Sequence, residues 1–331
     1  MTDWTAADLP EMTGTRVVVT GANSGIGKEA TRAFARVGAD VTLACRSVDR
    51  GEEAVADIER TESRLPGEMQ VQELDLADLD SVAAFADGWE GPLDILCNNA
   101  GVMAIPRTET HDGFETQFGV NHLGHFALTG RLLDALRASD GEARVVTQSS
   151  AVHERGDIDF DDLHGERSYD KWEAYAQSKL ANVLFGYELQ RRLDAAGIDD
   201  VTSAVCHPGW AATNLQRRGP EAEGSELKRL LMKAANGLFA QSAERGAWPM
   251  LYAAVADDVA GEYVGPGGFM NARGAPERQR SSERSYDEAT AARLWEVSSD
   301  LTGVDYEFAG DDADTAATDE SDTADSATAD D

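Results

Sequence analysis

The stretch from Arg16 to Gly27 constrains the fold more than any other part of the chain. Val17-Val18-Val19 runs into Thr20-Gly21-Ala22-Asn23-Ser24-Gly25-Ile26-Gly27, and the residues from Gly25 to Val37 read as a helix. A buried strand that passes through a glycine turn directly into a helix begins a βαβ unit. Gly21 permits the tight turn. Gly25 and Gly27 let the helix start approach an anion closely, where free N–H groups and the positive helix end favour negative charge. The spacing is G-x-x-x-G-x-G, which differs from the G-x-G-x-x-G of the general dinucleotide fold. The loop is suited to a dinucleotide pyrophosphate.

The rest of the chain repeats this alternation. Strands are expected at Arg16–Thr20, Ala39–Ala44, Met69–Glu73, Leu93–Cys97, Ala143–Gln148, Thr202–Cys206 and Glu262–Val264. Helical stretches are expected at Arg50–Glu62, Leu79–Gly88, Phe114–Ala138 and Lys171–Ala196. This pattern predicts one α/β domain over residues 1–310: a Rossmann-type, doubly wound parallel sheet of about seven strands with helices on both faces. Ala211–Ala240 mixes charge with Leu231, Met232, Leu238 and Phe239 and reads as a helical substrate flap, to which Trp210 and Leu215 add apolar surface. Asp311–Asp331 contains only Asp, Glu, Ala, Thr and Ser, and is expected to be a disordered acidic tail.

The chain has 61 acidic against 29 basic residues, a formal net charge of −32. Such a balance excludes a nucleic-acid surface and disfavours an anionic membrane. Lysine is confined to Lys28, Lys171, Lys179, Lys228 and Lys233. Acid excess with few lysines suggests a very salty cytoplasm, where screening relieves self-repulsion. Cys45, Cys97 and Cys206 sit at or near the ends of apolar strands, as small buried hydrophobes would, without disulfide or zinc spacing. No apolar run is long enough to span a bilayer, and acids interrupt the opening residues, so a soluble cytoplasmic protein is expected.

Two further positions bear on a nucleotide. The second strand ends in Cys45-Arg46-Ser47. An acid there would bind ribose hydroxyls, whereas Arg46 offers a planar cation to a 2′-phosphate and an adenine face. NADP(H) is therefore expected over NAD(H). Asp75, followed by Leu76, would meet the adenine edge, or else cap the next helix. Tyr175 and Lys179 stand four residues apart on one helical face. An unperturbed phenol titrates near 10 and shuttles protons poorly at neutral pH. Lys179 and a positive nicotinamide ring would each lower that value.

Thr20–Gly27, Asn98-Asn99-Ala100-Gly101, Tyr175-Ala176-Gln177-Ser178-Lys179 and His207-Pro208-Gly209 stand in the order of the short-chain dehydrogenase/reductase family. The chain resembles that family over roughly Gly14–Phe269. Within it, Ala44-Cys45-Arg46, Asn121-His122-Leu123-Gly124-His125-Phe126, Ser149-Ser150-Ala151-Val152-His153 and Tyr263-Val264-Gly265-Pro266 look like the retinol-dehydrogenase and WW-domain-oxidoreductase group. The resemblance implies Tyr175 as catalytic acid/base, Lys179 as its tuner and ribose ligand, and Ser150 as the hydrogen bond to the substrate oxygen. The doubled serine leaves Ser149 as the alternative. It implies that Asn121 shapes its helix and holds a relay water. It also implies that Asn98, Ala100 and Gly101 line the adenosine side and that Asn23, Ser24 and Ile26 belong to the phosphate loop. Pro208, Gly209 and Thr213 would flank the nicotinamide. Homo-oligomerisation through the two long helices is implied in the same way.

The reaction expected is hydride transfer between NADP(H) and an apolar carbonyl or alcohol. A non-catalytic NADP(H) sensor and a reductase of carbon–carbon double bonds are the alternatives. His122 and His125 lie three apart without a third ligand in view, which fits packing better than a metal. His153 fits either loop packing or the site wall.

Overall fold

The computed structural model describes residues 3–209, 242–268 and 271–308. The expected flap at 211–240, with Trp210 and Thr213, lies outside the described residues, as does the tail at 311–331.

Eight strands form one sheet: β1 Arg16–Thr20, β2 Asp40–Cys45, β3 Met69–Glu73, β4 Ile95–Asn98, β5 Ala143–Gln148, β6 Val201–Cys206, β7 Tyr263–Pro266 and β8 Pro276–Gln279. Their order is β3-β2-β1-β4-β5-β6-β7-β8. The first seven run parallel, and β8 pairs antiparallel on β7, with Tyr263 opposite Gln279 and Gly265 opposite Glu277. The sheet therefore has one strand more than its alternation predicts. Pro276-Glu277-Arg278-Gln279 carries no apolar signal and becomes a strand by pairing with an exposed edge.

The helices are α1 Gly25–Arg36, α2 Val48–Thr61, α3 Leu79–Asp87, α4 Gly124–Arg131, α5 Leu133–Arg137, α6 Lys171–Ala196, α7 Ala243–Val255 and α8 Glu288–Thr302. β1 shows why the valines run without a break. Val17 and Val19 pack under α1 and α7 beside Phe34 and Met250, whereas Val18 faces the other layer with Leu96, Phe126 and Leu189. A strand covered on both faces needs apolar residues at every position. α6 starts at Asp170, whose carboxylate accepts from the N–H groups of Trp172 and Glu173, and stops at left-handed Gly197. Its middle is buried between the sheet and α8. α8 thus packs on one of the two long helices expected to serve oligomerisation. Among the described residues, no helix is long and apolar enough to cross a membrane.

The expected long helix at Phe114–Ala138 is broken. A turn at Thr116–Phe118 leads into a π-helical segment, Gly119–Leu123, before α4, and Leu132 separates α4 from α5. The strand order reverses between β1 and β4, which are parallel, hydrogen-bonded neighbours with Val19 level with Cys97. The loops beyond their C-terminal ends therefore face each other across a crevice, where open α/β sheets hold ligands.

Candidate active site

That crevice holds a cleft of about 280 Å³. Gly21, Asn23, Ser24, Gly25, Ile26 and Gly27 form one wall, and Ala100 and Gly101 stand opposite. Arg46, Asp75 and Leu76 lie at the outer end. Gly21 has φ +66°, and a β-carbon there would meet Ala100 at 3.0 Å. A β-carbon on Gly27 would stand 2.5 Å from Asn99 Nδ2 and 2.9 Å from the Gly21 carbonyl. Only glycine allows the two loops to close on each other at these points. Ser24 makes no side-chain capping bond to α1, so the first-turn N–H groups remain for another acceptor. These features fit a pyrophosphate at the helix start.

Asn98 lies beneath the cleft and is not on its wall. It is fully buried in β4, with Nδ2 donating to Thr129 Oγ1 at 2.9 Å. Its neighbour Asn99 faces the cleft instead. The Asn99 side chain donates to the Thr20 carbonyl at 2.7 Å and accepts from Gln148 Nε2 at 3.1 Å. Asp75 does not cap α3. Asp78 does so, accepting from Asp80 and Ser81 N–H, while Asp75 accepts from Ala77 N–H and stands 4.0 Å from Arg46 Nε. Arg50, one turn into α2, joins Arg46 on the wall. Sequence reasoning missed it because the second helix begins at Val48, with Ser47 as its cap.

The inner end of the cleft is closed by Gly101 and Gln148. A β-carbon on Gly101 would lie 3.0 Å from Asn121 Oδ1 and 3.6 Å from Lys179 Nζ, so both groups stand directly behind that glycine. Asn121 occupies the centre of the π-helical segment. Its side chain clasps Val102, accepting from the N–H at 2.8 Å and donating to the carbonyl at 2.9 Å, and donates again to Ser178 Oγ. Lys179 Nζ donates to the Gln148 carbonyl at 3.0 Å, beside Asn182 Nδ2.

The doubled serine divides cleanly. Ser149 is buried and donates to the Lys179 carbonyl at 2.7 Å. The Ser150 side chain accepts from Val152 N–H and stands close enough to the Tyr175 hydroxyl to favour its ionised form. Burial pushes the Tyr175 phenol up to about 12, with Ser150 opposing. Burial also draws the Lys179 ammonium down to about 8. In the chain by itself burial thus raises the phenol, while Lys179 donates to the Gln148 carbonyl. At neutral pH the site offers a protonated phenol and a lysine still mostly charged.

His125 ties these parts together. Its Nδ1 lies 3.0 Å from the Asn121 carbonyl, which can only accept, so Nδ1 carries the proton. Nε2, free of a proton, receives the Thr20 hydroxyl at 2.9 Å. The Thr20 oxygen in turn accepts from the N–H groups of Asn99 and Ala100, each at 2.9 Å. Burial draws the imidazole down to about 4, which keeps it neutral. His122 is buried among Phe118, Phe126 and Phe185 and pairs with Ser298. Pro208 and Gly209 follow β6 on the same side of the sheet.

Residues 15–224 match the family model for short chain dehydrogenases. Retinol dehydrogenase 12 of Mus musculus is 43% identical over 303 residues, covering 90% of this chain and 89% of its own. Polyprenol dehydrogenase of Mus musculus is 43% identical over 302 residues, covering 89% and 86%. A crystal structure of an uncharacterised protein from Mycobacterium paratuberculosis is 44% identical, with a TM-score of 0.76, covering 92% of this chain and all of that one. With the glycine turn, the parallel sheet and the serine–tyrosine contact in place, the chain belongs to the short-chain dehydrogenase family and is an oxidoreductase.

Proposed function

We propose that the chain interconverts an apolar alcohol and its carbonyl compound using NADP(H), with Tyr175 as acid/base. The observation that carries this reading is the Ser150–Tyr175 hydroxyl pair, with Lys179 one turn further along α6, behind Gly101 at the end of the cleft. The first-turn N–H groups of α1 would hold the pyrophosphate, Lys179 a ribose, and Arg46 and Arg50 a 2′-phosphate. The nicotinamide supplies or accepts a hydride when bound. In reduction, Tyr175 donates its phenolic proton to the substrate oxygen. Ser150, already accepting from Val152 N–H, turns its own O–H outward to that oxygen and stabilises charge building there. Lys179 supplies the positive charge that makes the resulting phenolate tolerable. Asn121 holds Val102 and the helix in register.

An apolar substrate is supported by the retinol and polyprenol in the relatives' names. It is also supported by Trp172, which is 46% exposed and stands edge-on to the Tyr175 ring at 6.3 Å. The excess of acid supports operation at high salt.

The test is oxidation of NADPH and NADH by purified protein in molar KCl, against aldehydes, ketones, retinal and a polyprenal. Turnover with NADPH well above NADH is expected, and Arg46→Asp should shift the preference towards NADH by about tenfold. Tight NADPH binding without turnover across the panel would overturn the enzymatic assignment in favour of a sensor.

A further inference from the structure

Two histidines outside the Ser150–Tyr175–Lys179 group touch the active-site loops from behind. The His153 ring is buried, with Nδ1 2.7 Å from the Ser150 carbonyl and Nε2 3.1 Å from the N–H of Ser282. A carbonyl accepts and an N–H donates, so His153 must be protonated on Nδ1 and bare on Nε2. His207 is the mirror case. Its Nδ1 receives the N–H of Gly209 at 3.3 Å, and its Nε2 lies 3.2 Å from Gln279 Oε1, whose own amide nitrogen donates to the Pro266 carbonyl at 2.8 Å. His207 is therefore bare on Nδ1 and protonated on Nε2.

The two imidazoles are coupled by Tyr263 of β7. Its ring lies 5.1 Å from His153 and 5.2 Å from His207, the latter pair nearly parallel at 8°. Space for the stack is built into the backbone. A β-carbon on Gly265 would fall 1.9 Å from His207 Nε2, so the imidazole lies where any other residue would put a side chain. Gly209, at φ +62°, sits with its α-carbon against Pro266 and Ala272, where a β-carbon would collide. Ser282 and Gln279 belong to β8 and the segment just after it, the part of the sheet that breaks the parallel pattern.

We propose that His153 and His207 are positioning residues, held as opposite neutral tautomers by the β7–β8 hairpin. His153 fixes the backbone of Ser150, and His207 fixes the turn at Gly209, which would flank the nicotinamide. The proposal rests on the oxidoreductase reading for the roles of Ser150 and Gly209, but the tautomers do not.

The experiment has two arms on the full chain in molar KCl at pH 7.5. In the first, two-bond ¹⁵N–¹H correlations read the tautomers of labelled histidine, assigned by the signals lost in His153→Asn and His207→Asn. An Nδ1–H form for His153 and an Nε2–H form for His207 are expected. The reverse form, or an imidazolium, at either position overturns the proposal. This arm needs no substrate, so a wild-type protein without turnover would count against the oxidoreductase reading and leave this one standing.

In the second arm, His153→Leu should lower kcat about tenfold with the NADPH Kd unchanged, the size expected for one misplaced hydrogen-bonded group. His207→Leu should instead raise the NADPH Kd about tenfold, by the same reasoning. At 153, Asn can still donate to the Ser150 carbonyl, and at 207 it can still accept from Gly209, so each Asn variant should restore most of the loss. Leu and Asn variants equally impaired, or kcat and Kd changing together at both positions, would reduce the histidines to packing and overturn the proposal.

Discussion

The two walls of the cleft are built by different means. The wall formed by the first four strands is held largely by close backbone approach, braced by the Thr20, Asn99 and His125 side chains. Glycines let loops touch, N–H groups are left free at a helix start, and Thr20 takes two backbone N–H groups at once. The wall beyond β5 is held by side chains reaching across the fold. His153 meets Ser282, 129 positions away, and His207 meets Gln279, 72 positions away. The difference teaches that the grip on the phosphates rests on contacts separable from those that align the nicotinamide end and the substrate oxygen. Damage to one wall should leave the function of the other measurable.

The sharpest separation should come from Tyr175→Phe. It removes the only proton the phenol can give and leaves the glycine wall untouched, so kcat should fall by about 10²- to 10⁴-fold. The NADPH Kd, read by nucleotide fluorescence, should stay within about twofold, because the phenol is not part of the phosphate contacts. Turnover near wild type would remove the assigned proton donor.

The converse is Gly27→Val. Its β-carbon would lie 2.9 Å from the Gly21 carbonyl, and backbone cannot step aside as a flexible side chain could. NADPH affinity should fall by about 100-fold or more, as strain moves the helix start off its ligand. Gly141→Ala is the control, since nothing lies within 4 Å of its added carbon. Equal affinities in the two variants would mean that the close approach at Gly27 does not shape the site.

The smallest effect concerns the support common to both walls. Burial draws His122 down to about 3, and His125 and His207 down to about 4. An unfolded histidine titrates near 6.5, so as pH falls below that value the unfolded chain takes up protons that the folded chain refuses. Stability is therefore retained above pH 6.5 and lost between 6.5 and about 3. In molar KCl, where net charge is screened, the melting temperature should drop across that window. His122→Gln should make the drop shallower by a few degrees, by about 2–4 °C per kcal/mol in a chain of this size. A melting temperature flat from pH 7 to 4 would mean that these imidazoles are not held neutral.

Legibility follows the same division. Arg16–Thr20, Met69–Glu73, Ala143–Gln148 and Lys171–Ala196 stand where their apolar patterns and caps put them. Each is specified by its own residues: β-branched runs at Arg16–Thr20 and Ala143–Gln148, alternation of Met69 and Val71 with glutamines, and Asp170 before the long helix. The fourth strand moves from Leu93–Cys97 to Ile95–Asn98 because the Leu93 N–H is taken by the Ala135 carbonyl, a contact no local pattern announces. Asn98 and Asn99 cannot be told apart as neighbours on a strand end until the sheet fixes which one points inward. Ser149 and Ser150 are the same problem, resolved only by what α6 presents to each. The roles of His125, His153 and His207 depend on distant partners, and their short motifs carry no trace of them.

The π-helical segment at Gly119–Leu123 has a consequence for the length of the chain. A turn that spends an extra residue sets the phase of everything after it. Removing one residue between Gly119 and Leu123 would let the helix relax to 3.6 residues per turn. Asn121 would then rotate by about 100° away from Val102, and His125 would swing off Thr20 with it. The site is thus guarded by a count as well as by a composition. At this segment a deletion is expected to separate the two walls for good, and to cost stability as Leu123 and Phe126 leave their core positions.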